Sequence, residues 1–115
     1  MSISHLDTQA QFEALWFGAT DGAEEKPWIV YFTAAWCGPC KRLDLVAIAE
    51  AATAAGLPLY KCDYVVNEYT SGYCGVRAFP TFVCMKPRKI LGQLKSAETA
   101  EVVGWIQGLK PETAV

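Results

Sequence analysis

Two cysteines separated by two residues are the part of this chain best suited to do chemistry. They stand in the WCGPC segment of residues 36–40, between an apolar run and a helical pattern. This spacing places both sulfurs in the first turn of the predicted helix, close enough for an unstrained disulfide. Because a helix N-terminus presents unpaired N–H groups, we expect the pKa of the first cysteine to be lowered. Cys37 is therefore the predicted nucleophile, and Cys40 resolves the mixed disulfide.

The two residues between the cysteines fit a redox role. Pro39 is tolerated in the first turn of a helix, where no N–H is needed, and Gly38 leaves the backbone open to an approaching protein disulfide. The alternative is a zinc site, which needs four ligands and usually two close cysteine pairs. The remaining cysteines, Cys62, Cys74 and Cys84, form no second close pair, so we expect no metal.

The composition is typical of one globular domain spanning residues 1–115. Of these 115 residues, 52% are hydrophobic and 19% are charged, and the formal net charge is -2. This charge, without a basic run, argues against nucleic acid or an anionic membrane as a partner. The apolar runs are too short to cross a bilayer, and residues 1–7 do not resemble a signal peptide. An odd number of cysteines is typical of a reduced compartment, so we expect a cytoplasmic protein. We also expect a monomer.

The apolar pattern predicts the elements that position the cysteines. Strands are predicted at Trp28–Thr33, Leu57–Cys62, Thr81–Met85 and Lys89–Leu94. Helices are predicted after a cap at Asp7 or Thr8, from Cys40 to Ala55, from Val66 to Tyr73, and after Ser96 with Thr99 and Glu101. Residues 18–26 are predicted to form a loop. With a first strand before the first helix, to which no residues are assigned, the order β-α-β-α-β-α-β-β-α indicates an α/β fold with a central mixed sheet and helices on both faces.

Two segments together resemble the thioredoxin family. Residues 36–41, WCGPCK, look like the family's active-site motif, and residues 75–81, GVRAFPT, resemble the stretch around its cis-proline. The two motifs stand in the family's order and at its usual separation, and the similar layout extends from about Ile3 to Leu109. The resemblance implies a thioredoxin fold and a dithiol that reduces protein disulfides without a bound cofactor. It also implies an upstream reductase, such as thioredoxin reductase, that recycles the dithiol.

The resemblance assigns roles to residues around the dithiol. Trp36 would cover the disulfide and contact substrate. Pro80 would be cis and packed against the redox pair, and the Phe79 backbone would pair with an extended apolar substrate segment. From the residues alone, without the upstream motif, a strand-start proline is the preferred interpretation of Pro80. Gly92 matches a family glycine that leaves room for substrate beside the groove.

The chain departs from the family at the position that handles the proton. Tyr31 stands where the family has a buried aspartate that helps deprotonate the resolving cysteine, and a phenol with a pKa of about 10 is a poor base at neutral pH. Lys61 lies where the family has the lysine paired with that aspartate. Asp63 lies two residues further along the same strand face and could substitute in part, although a polar strand end is the preferred interpretation. We predict that resolution relies on water or on Lys61.

Two other positions also differ from the family pattern. Leu45 replaces a helix-kinking proline, so the second helix is predicted to be straighter. Cys74 lies near Pro80, where some animal thioredoxins carry an extra cysteine, and a regulatory thiol and a buried core residue are equally good interpretations. For Cys62 and Cys84 we expect a core role.

Three functions follow from these observations. The first is a thioredoxin-like reductase of protein disulfides, which the Gly-Pro pair between the cysteines favours by resemblance. The second is an oxidase or isomerase domain of a secretory compartment, which a measured reduction potential would distinguish. The third is a protein-binding subunit that uses the fold only for contact, against which the intact cysteine pair argues.

Overall fold

A computed structural model describes residues 3–18 and 26–109 of the chain. The strands are β1 (Ser4–His5), β2 (Trp28–Thr33), β3 (Leu59–Asp63), β4 (Thr81–Lys86) and β5 (Lys89–Lys95). The helices are α1 (Gln9–Phe17), α2 (Leu45–Ala54), α3 (Glu68–Tyr73) and α4 (Thr99–Gly108). A short 3-10 turn, Pro39–Arg42, lies between β2 and α2. Most of the loop predicted for residues 18–26 lies outside the described residues.

The strand that precedes the cysteines is the centre of the sheet. The strand order is β1-β3-β2-β4-β5, with β2 parallel to β3 and antiparallel to β4. All six residues of β2 are buried, which explains why its sequence is a continuous apolar run rather than an alternating one. The predicted mixed sheet is confirmed, and the C-terminal end of its central strand leads directly to the redox motif.

The two faces of the sheet are covered by different helices. Alternate residues of a strand point to opposite faces. Ile29 and Tyr31 of β2 pack in a core with residues of α2 and α4, whereas Val30 and Phe32 pack in a second core with Phe12 of α1. The prediction of helices on both faces is therefore confirmed.

Side-chain caps determine where the first and third helices begin. Thr8 caps α1 in a reciprocal arrangement, because its hydroxyl accepts from the Gln11 N–H and the Gln11 side chain accepts from the Thr8 N–H. Asn67 caps α3 by accepting from the Thr70 N–H at 3.3 Å. Helix α3 consequently starts at Glu68, two residues later than predicted.

The helix predicted to run from Cys40 to Ala55 is broken into two pieces. Leu43 is extended, with ψ 136°, and ends the 3-10 turn. The Asp44 carboxylate then caps α2 by accepting from the N–H groups of Val46 and Ala47, both at 3.1 Å. The prediction of a straighter helix, based on Leu45 in place of proline, was therefore wrong, because the Asp44 cap produces the break without a proline.

Candidate active site

The two cysteines lie on a tight turn directly after the central strand. A disulfide joins Cys37 to Cys40, and their Cα atoms are 5.4 Å apart. The Cys37 N–H donates to the Ala34 carbonyl at 2.9 Å. Pro39 occupies the start of the 3-10 turn, where its missing N–H leaves no hydrogen bond unmade. The structure thus pairs the two sulfurs as the spacing predicts.

The electrostatic setting of Cys37 differs from the predicted one. The Cys40 N–H donates to the Cys37 sulfur at 3.2 Å. This donor belongs to the four-residue 3-10 turn, and α2 begins only at Leu45. The predicted place of the cysteines in the first turn of the long helix was wrong. The N–H donor at the Cys37 sulfur therefore comes from this turn and not from the N-terminus of α2.

Trp36 and Gly38 form the exposed rim around the disulfide. Trp36 is 66% exposed, and its ring meets the Phe79 ring edge to face, with centroids 5.7 Å apart. A Cβ atom added at Gly38 would meet no atom within 4 Å, so the backbone here is open to an approaching molecule. Because Cys37 itself is buried, a partner must reach its sulfur across this rim.

The second motif reaches the redox pair through Phe79. The Phe79–Pro80 peptide bond is cis, as the resemblance implied. The Phe79 ring packs against the small buried cluster that contains Cys37 and Cys40, and its centroid lies 5.5 Å from that of Tyr64. Pro80 is buried immediately before β4. The two motifs, separated in sequence by more than thirty residues, therefore meet in space.

A cavity of about 720 Å³, here called the aromatic groove, opens beside the disulfide. Its lining residues are Trp36, Tyr64, Glu68, Tyr69, Gly72, Tyr73, Val76, Arg77 and Phe79. Most of these side chains are aromatic, which suits contact with apolar and aromatic groups. Glu68 and Arg77 are the two charged residues of the lining.

The sequence interpretation found only Trp36 and Phe79 of this groove. The tyrosines of α3 were missed, although Tyr69 and Tyr73 are four residues apart and must lie on one face of any helix that spans them. That spacing was the available signal. Tyr64 could not be found in this way, because it lies in the turn after β3 and its position depends on packing against Phe79.

A second cavity, here called the rear cavity, is lined by both redox cysteines, neither of which lines the aromatic groove. Its volume is about 380 Å³. It is lined by Tyr31, Thr33, Ala34, Ala35, Cys37, Cys40, Lys41, Leu43, Leu45, Lys61 and Asp63. The structure thus brings together both cysteines and the three residues singled out for the proton step.

Tyr31 is unsuited to accept a proton. Its ring is buried and stacks on Phe82, with centroids 4.9 Å apart. Burial raises the pKa of the Tyr31 hydroxyl above its usual value, the nearby Asp63 raises it further, and a hydrogen bond with Thr33 partly opposes the rise. The phenol therefore stays protonated at neutral pH.

Gly92 does not lie at the site. It pairs with Cys84 in the middle of β5, whereas Thr81, the neighbour of Pro80, pairs with Lys95 at the strand end. Gly92 lines neither the aromatic groove nor the rear cavity. The substrate-binding role predicted for Gly92 is therefore corrected, because the strand register places it away from the groove.

The other three cysteines are free thiols in the apolar interior. Burial raises the pKa of Cys62 and of Cys74 to about 12, and that of Cys84 to about 11. Cys74 packs in the core beneath α1 and α3. A thiol that ionises only near pH 12 is a poor nucleophile at neutral pH, so the structure favours the core role for Cys74 over the regulatory one.

Within ranges 3–18 and 26–109, no group of three or more His, Cys, Asp or Glu side chains is placed to hold a metal ion. In the same ranges, no helix has the length and apolar character needed to span a bilayer.

Known proteins resemble this chain in both sequence and structure. Residues 8–108 match the family model described as Thioredoxin. The chain is 33% identical to a thioredoxin of Geodia cydonium over 77% of this chain and 80% of that protein. It is 34% identical to protein disulfide-isomerase A3 of Gallus gallus, over 79% of this chain but 18% of that protein. The crystal structure of Malassezia sympodialis thioredoxin superimposes with a TM-score of 0.76 and 28% identity, covering 91% of this chain and 88% of that one.

Proposed function

Because the chain belongs to the thioredoxin family of thiol–disulfide oxidoreductases, we propose that its Cys37–Cys40 dithiol reduces disulfides in extended segments of partner proteins. The observation that carries this proposal is that Phe79, which lines the aromatic groove and contacts the Trp36 ring, also packs against the redox pair. A partner segment lying along the groove brings its own disulfide to Cys37.

Reduction proceeds in two exchange steps. The Cys37 thiolate attacks one partner sulfur, so a Cys37–partner bond forms and the other partner sulfur leaves as a thiolate that is protonated by solvent. Cys40 then loses its proton and attacks the Cys37 sulfur. The Cys37–Cys40 bond forms, the bond to the partner breaks, and the second partner thiolate takes up a proton. Two electrons pass from the dithiol to the partner.

The residues around the sulfurs support this reaction. The Cys40 N–H, 3.2 Å from the Cys37 sulfur, stabilises the Cys37 thiolate before it attacks the partner disulfide. The open backbone at Gly38 lets the partner chain approach closely. The tyrosines, Trp36 and Phe79 of the groove favour partners with aromatic or aliphatic residues beside the cysteine.

The groove is tested by separating protein substrates from small ones. We expect Trp36→Ala to lower kcat/KM for insulin reduction by about tenfold, since exposed aromatic residues at the centre of interfaces contribute most to binding. The rate with a small aromatic disulfide falls much less. Phe17→Ala is the matched control, because Phe17 is another exposed aromatic residue and does not line the groove. Equal losses for Trp36→Ala and Phe17→Ala would contradict the role of the groove.

Recycling needs an external donor, and we propose an upstream reductase such as thioredoxin reductase. Insulin reduction with NADPH and thioredoxin reductase, compared with glutathione and glutathione reductase, identifies the donor. Turnover only with the glutathione system would contradict this choice. A Cys40→Ser variant traps the partner on Cys37 and reveals substrates by mass spectrometry.

The identity with protein disulfide-isomerase A3 favours a second candidate, an isomerase-type domain. The two functions differ in reduction potential, since reductases lie near that of thioredoxin and isomerases are more oxidising by several tens of millivolts. Equilibration with glutathione buffers distinguishes them. Reactivation of scrambled ribonuclease without net reduction would favour the isomerase.

We also propose a reducing compartment, such as the cytoplasm, and a monomeric state. Three free thiols, Cys62, Cys74 and Cys84, lie in the described core, which suits a compartment where cysteines stay reduced. Imaging of a tagged full-length chain and sedimentation of the purified protein test the two statements.

A further inference from the structure

The rear cavity contains one carboxylate among its lining residues, Asp63 at the end of β3. Strand register explains how it reaches this place. Tyr31 pairs with Lys61, and Thr33 pairs with Asp63, so all four lie on the same face of the two neighbouring strands. The position where the family places its acid is held by Tyr31 on β2. An acid is present nevertheless, because Asp63 lies on the adjacent strand beside Thr33, closer to the redox turn than Tyr31 is.

The other polar groups around this cavity cannot accept a proton at neutral pH. The ammonium groups of Lys61 from β3 and Lys41 from the 3-10 turn carry donors only, and the Tyr31 phenol from β2 stays protonated. The Thr33 hydroxyl is not a base in this pH range. Apart from the redox sulfurs, these are the titratable and polar side chains that line the cavity with Asp63.

The Asp63 carboxylate has one oxygen occupied and one available. Its Oδ1 accepts from the Val65 N–H at 2.8 Å, which fixes the side chain at the strand end. Within the described residues, no donor forms a hydrogen bond to Oδ2. The cavity that Asp63 lines together with both sulfurs has a volume of about 380 Å³, which is room for several waters at roughly 30 Å³ each, and Thr33, Lys41 and Lys61 place polar groups in its otherwise apolar wall.

We propose that Asp63 accepts the proton of Cys40, through water in the rear cavity, when Cys40 attacks the mixed disulfide. The inference rests on the proposed reductase function. The Cys40 S–H proton passes to water while that water gives a proton to Asp63 Oδ2. The Cys40 thiolate forms its bond to the Cys37 sulfur, and the partner thiolate leaves. Asp63 then returns its proton to solvent, so the carboxylate is regenerated in each cycle. The adjacent ammonium of Lys61 stabilises the transient Cys40 thiolate.

The test follows the reaction of the reduced protein with 5,5′-dithiobis(2-nitrobenzoate) by stopped flow. The first phase, Cys37 attack, is proportional to reagent concentration, and the second, release of thionitrobenzoate by Cys40, is independent of it. Asp63→Asn retains an acceptor for the Val65 N–H and removes the base. We expect its second phase to slow by about tenfold or more at pH 6.5, with the first phase unchanged. The deficit shrinks as the pH rises, because hydroxide then removes the proton without help from the carboxylate.

Three further arms separate a proton acceptor from a structural residue. Glu50→Gln removes an exposed carboxylate of α2 and leaves both phases at wild-type rates. Asp63→Glu restores part of the rate of the second phase. Added formate accelerates the second phase of Asp63→Asn but not that of the wild type. Tyr31→Phe keeps the wild-type pH profile.

The outcomes distinguish failure of this inference from failure of the proposed function. The proposal is overturned if the second phase of Asp63→Asn has the wild-type rate and pH profile. It is also overturned if the second phase of Tyr31→Phe is slower than that of Asp63→Asn. If Asp63→Asn does not fold, absence of the formate effect in Asp63→Ala overturns it equally. A wild-type protein without a first phase contradicts the reductase function itself.

Discussion

All five cysteines of this chain are nearly inaccessible to solvent, yet two form the redox disulfide and three are free thiols. Their exposed fractions are 4% for Cys37, 7% for Cys40, 0% for Cys62, 8% for Cys74 and 2% for Cys84. By exposure alone, Cys74 would be the most accessible thiol of the chain. Exposure of the residue therefore does not separate the redox pair from the core thiols.

What separates them is the surroundings of the sulfur. The core thiols lie among apolar side chains, and burial raises their pKa values to about 11 or 12. Cys37 instead accepts an N–H donor, and the redox pair borders a cavity that carries Asp63 and Lys61. A buried thiol is inert when its charged form has no partner, and reactive when the protein supplies a donor for the thiolate and an acceptor for the proton.

Serine substitution tests this comparison most strongly. Cys37→Ser reduces insulin turnover to the background of the reductant alone, because the hydroxyl does not form a thiolate-like nucleophile. Cys74→Ser retains wild-type turnover. The measurement is the rate of insulin reduction at equal protein concentration. Comparable losses in both variants would break the distinction between redox and core cysteines.

Alkylation of the oxidised protein gives the next largest effect. At pH 8, the fraction of thiolate at Cys62 and Cys74 is about a thousandfold below that of a thiol with the ordinary pKa, and at Cys84 about a hundredfold. Iodoacetamide therefore leaves all three unlabelled in the folded protein and labels them in denaturant. Timed labelling with mass spectrometry measures this. Rapid labelling of Cys74 alone would support the hypothesis that it is a regulatory thiol.

Stability at alkaline pH provides a smaller, graded effect. A thiol with an ordinary pKa of 9.0 in the unfolded chain and about 12 in the fold is protonated more often in the folded state between those values. The contribution of these thiols to the free energy of unfolding is therefore constant below about pH 9 and decreases as the pH rises towards 12. Urea midpoints of the oxidised protein at several pH values check the direction. Removing Cys74 by substitution with Ala makes the decrease shallower.

Asp44→Ala has the smallest expected effect and tests the source of Cys37 reactivity. Loss of the cap lowers the free energy of unfolding by about 1 kcal/mol. The rate of Cys37 with a small disulfide is unchanged, because the N–H at its sulfur belongs to the 3-10 turn rather than to α2. Urea unfolding and stopped-flow kinetics measure the two quantities. A slower Cys37 would mean that α2 contributes to the thiolate after all.

Much of this arrangement could be predicted from residue types. The boundaries Trp28–Thr33 emerge correctly because a strand buried on both faces is a continuous apolar run with clear ends. Thr8 is recognisable as a cap from Gln11 three residues later. The Cys37–Cys40 pair needs only local spacing, so it is visible without any knowledge of the sheet.

Features that depend on distant residues could not be predicted in the same way. The break before α2 involves Asp44, whose N–H donates to the Thr99 hydroxyl of α4 at 2.9 Å. The place of Gly92 depends on strand register, which one sequence does not define locally. Asp63 could be named from the sequence as a possible substitute acid, but its place in one cavity with the cysteines emerges only when β3 is set beside β2.

The open surroundings of Gly38 have a consequence for how this molecule can change. A methyl group there would touch nothing in the chain, and the backbone, with φ -62° and ψ -50°, suits any residue. Folding therefore does not require glycine at position 38. Any requirement for glycine there comes from the molecules that dock above it. A library of substitutions at this one position would alter the choice of client proteins at little cost in folding, and would make position 38 a natural site for engineering selectivity.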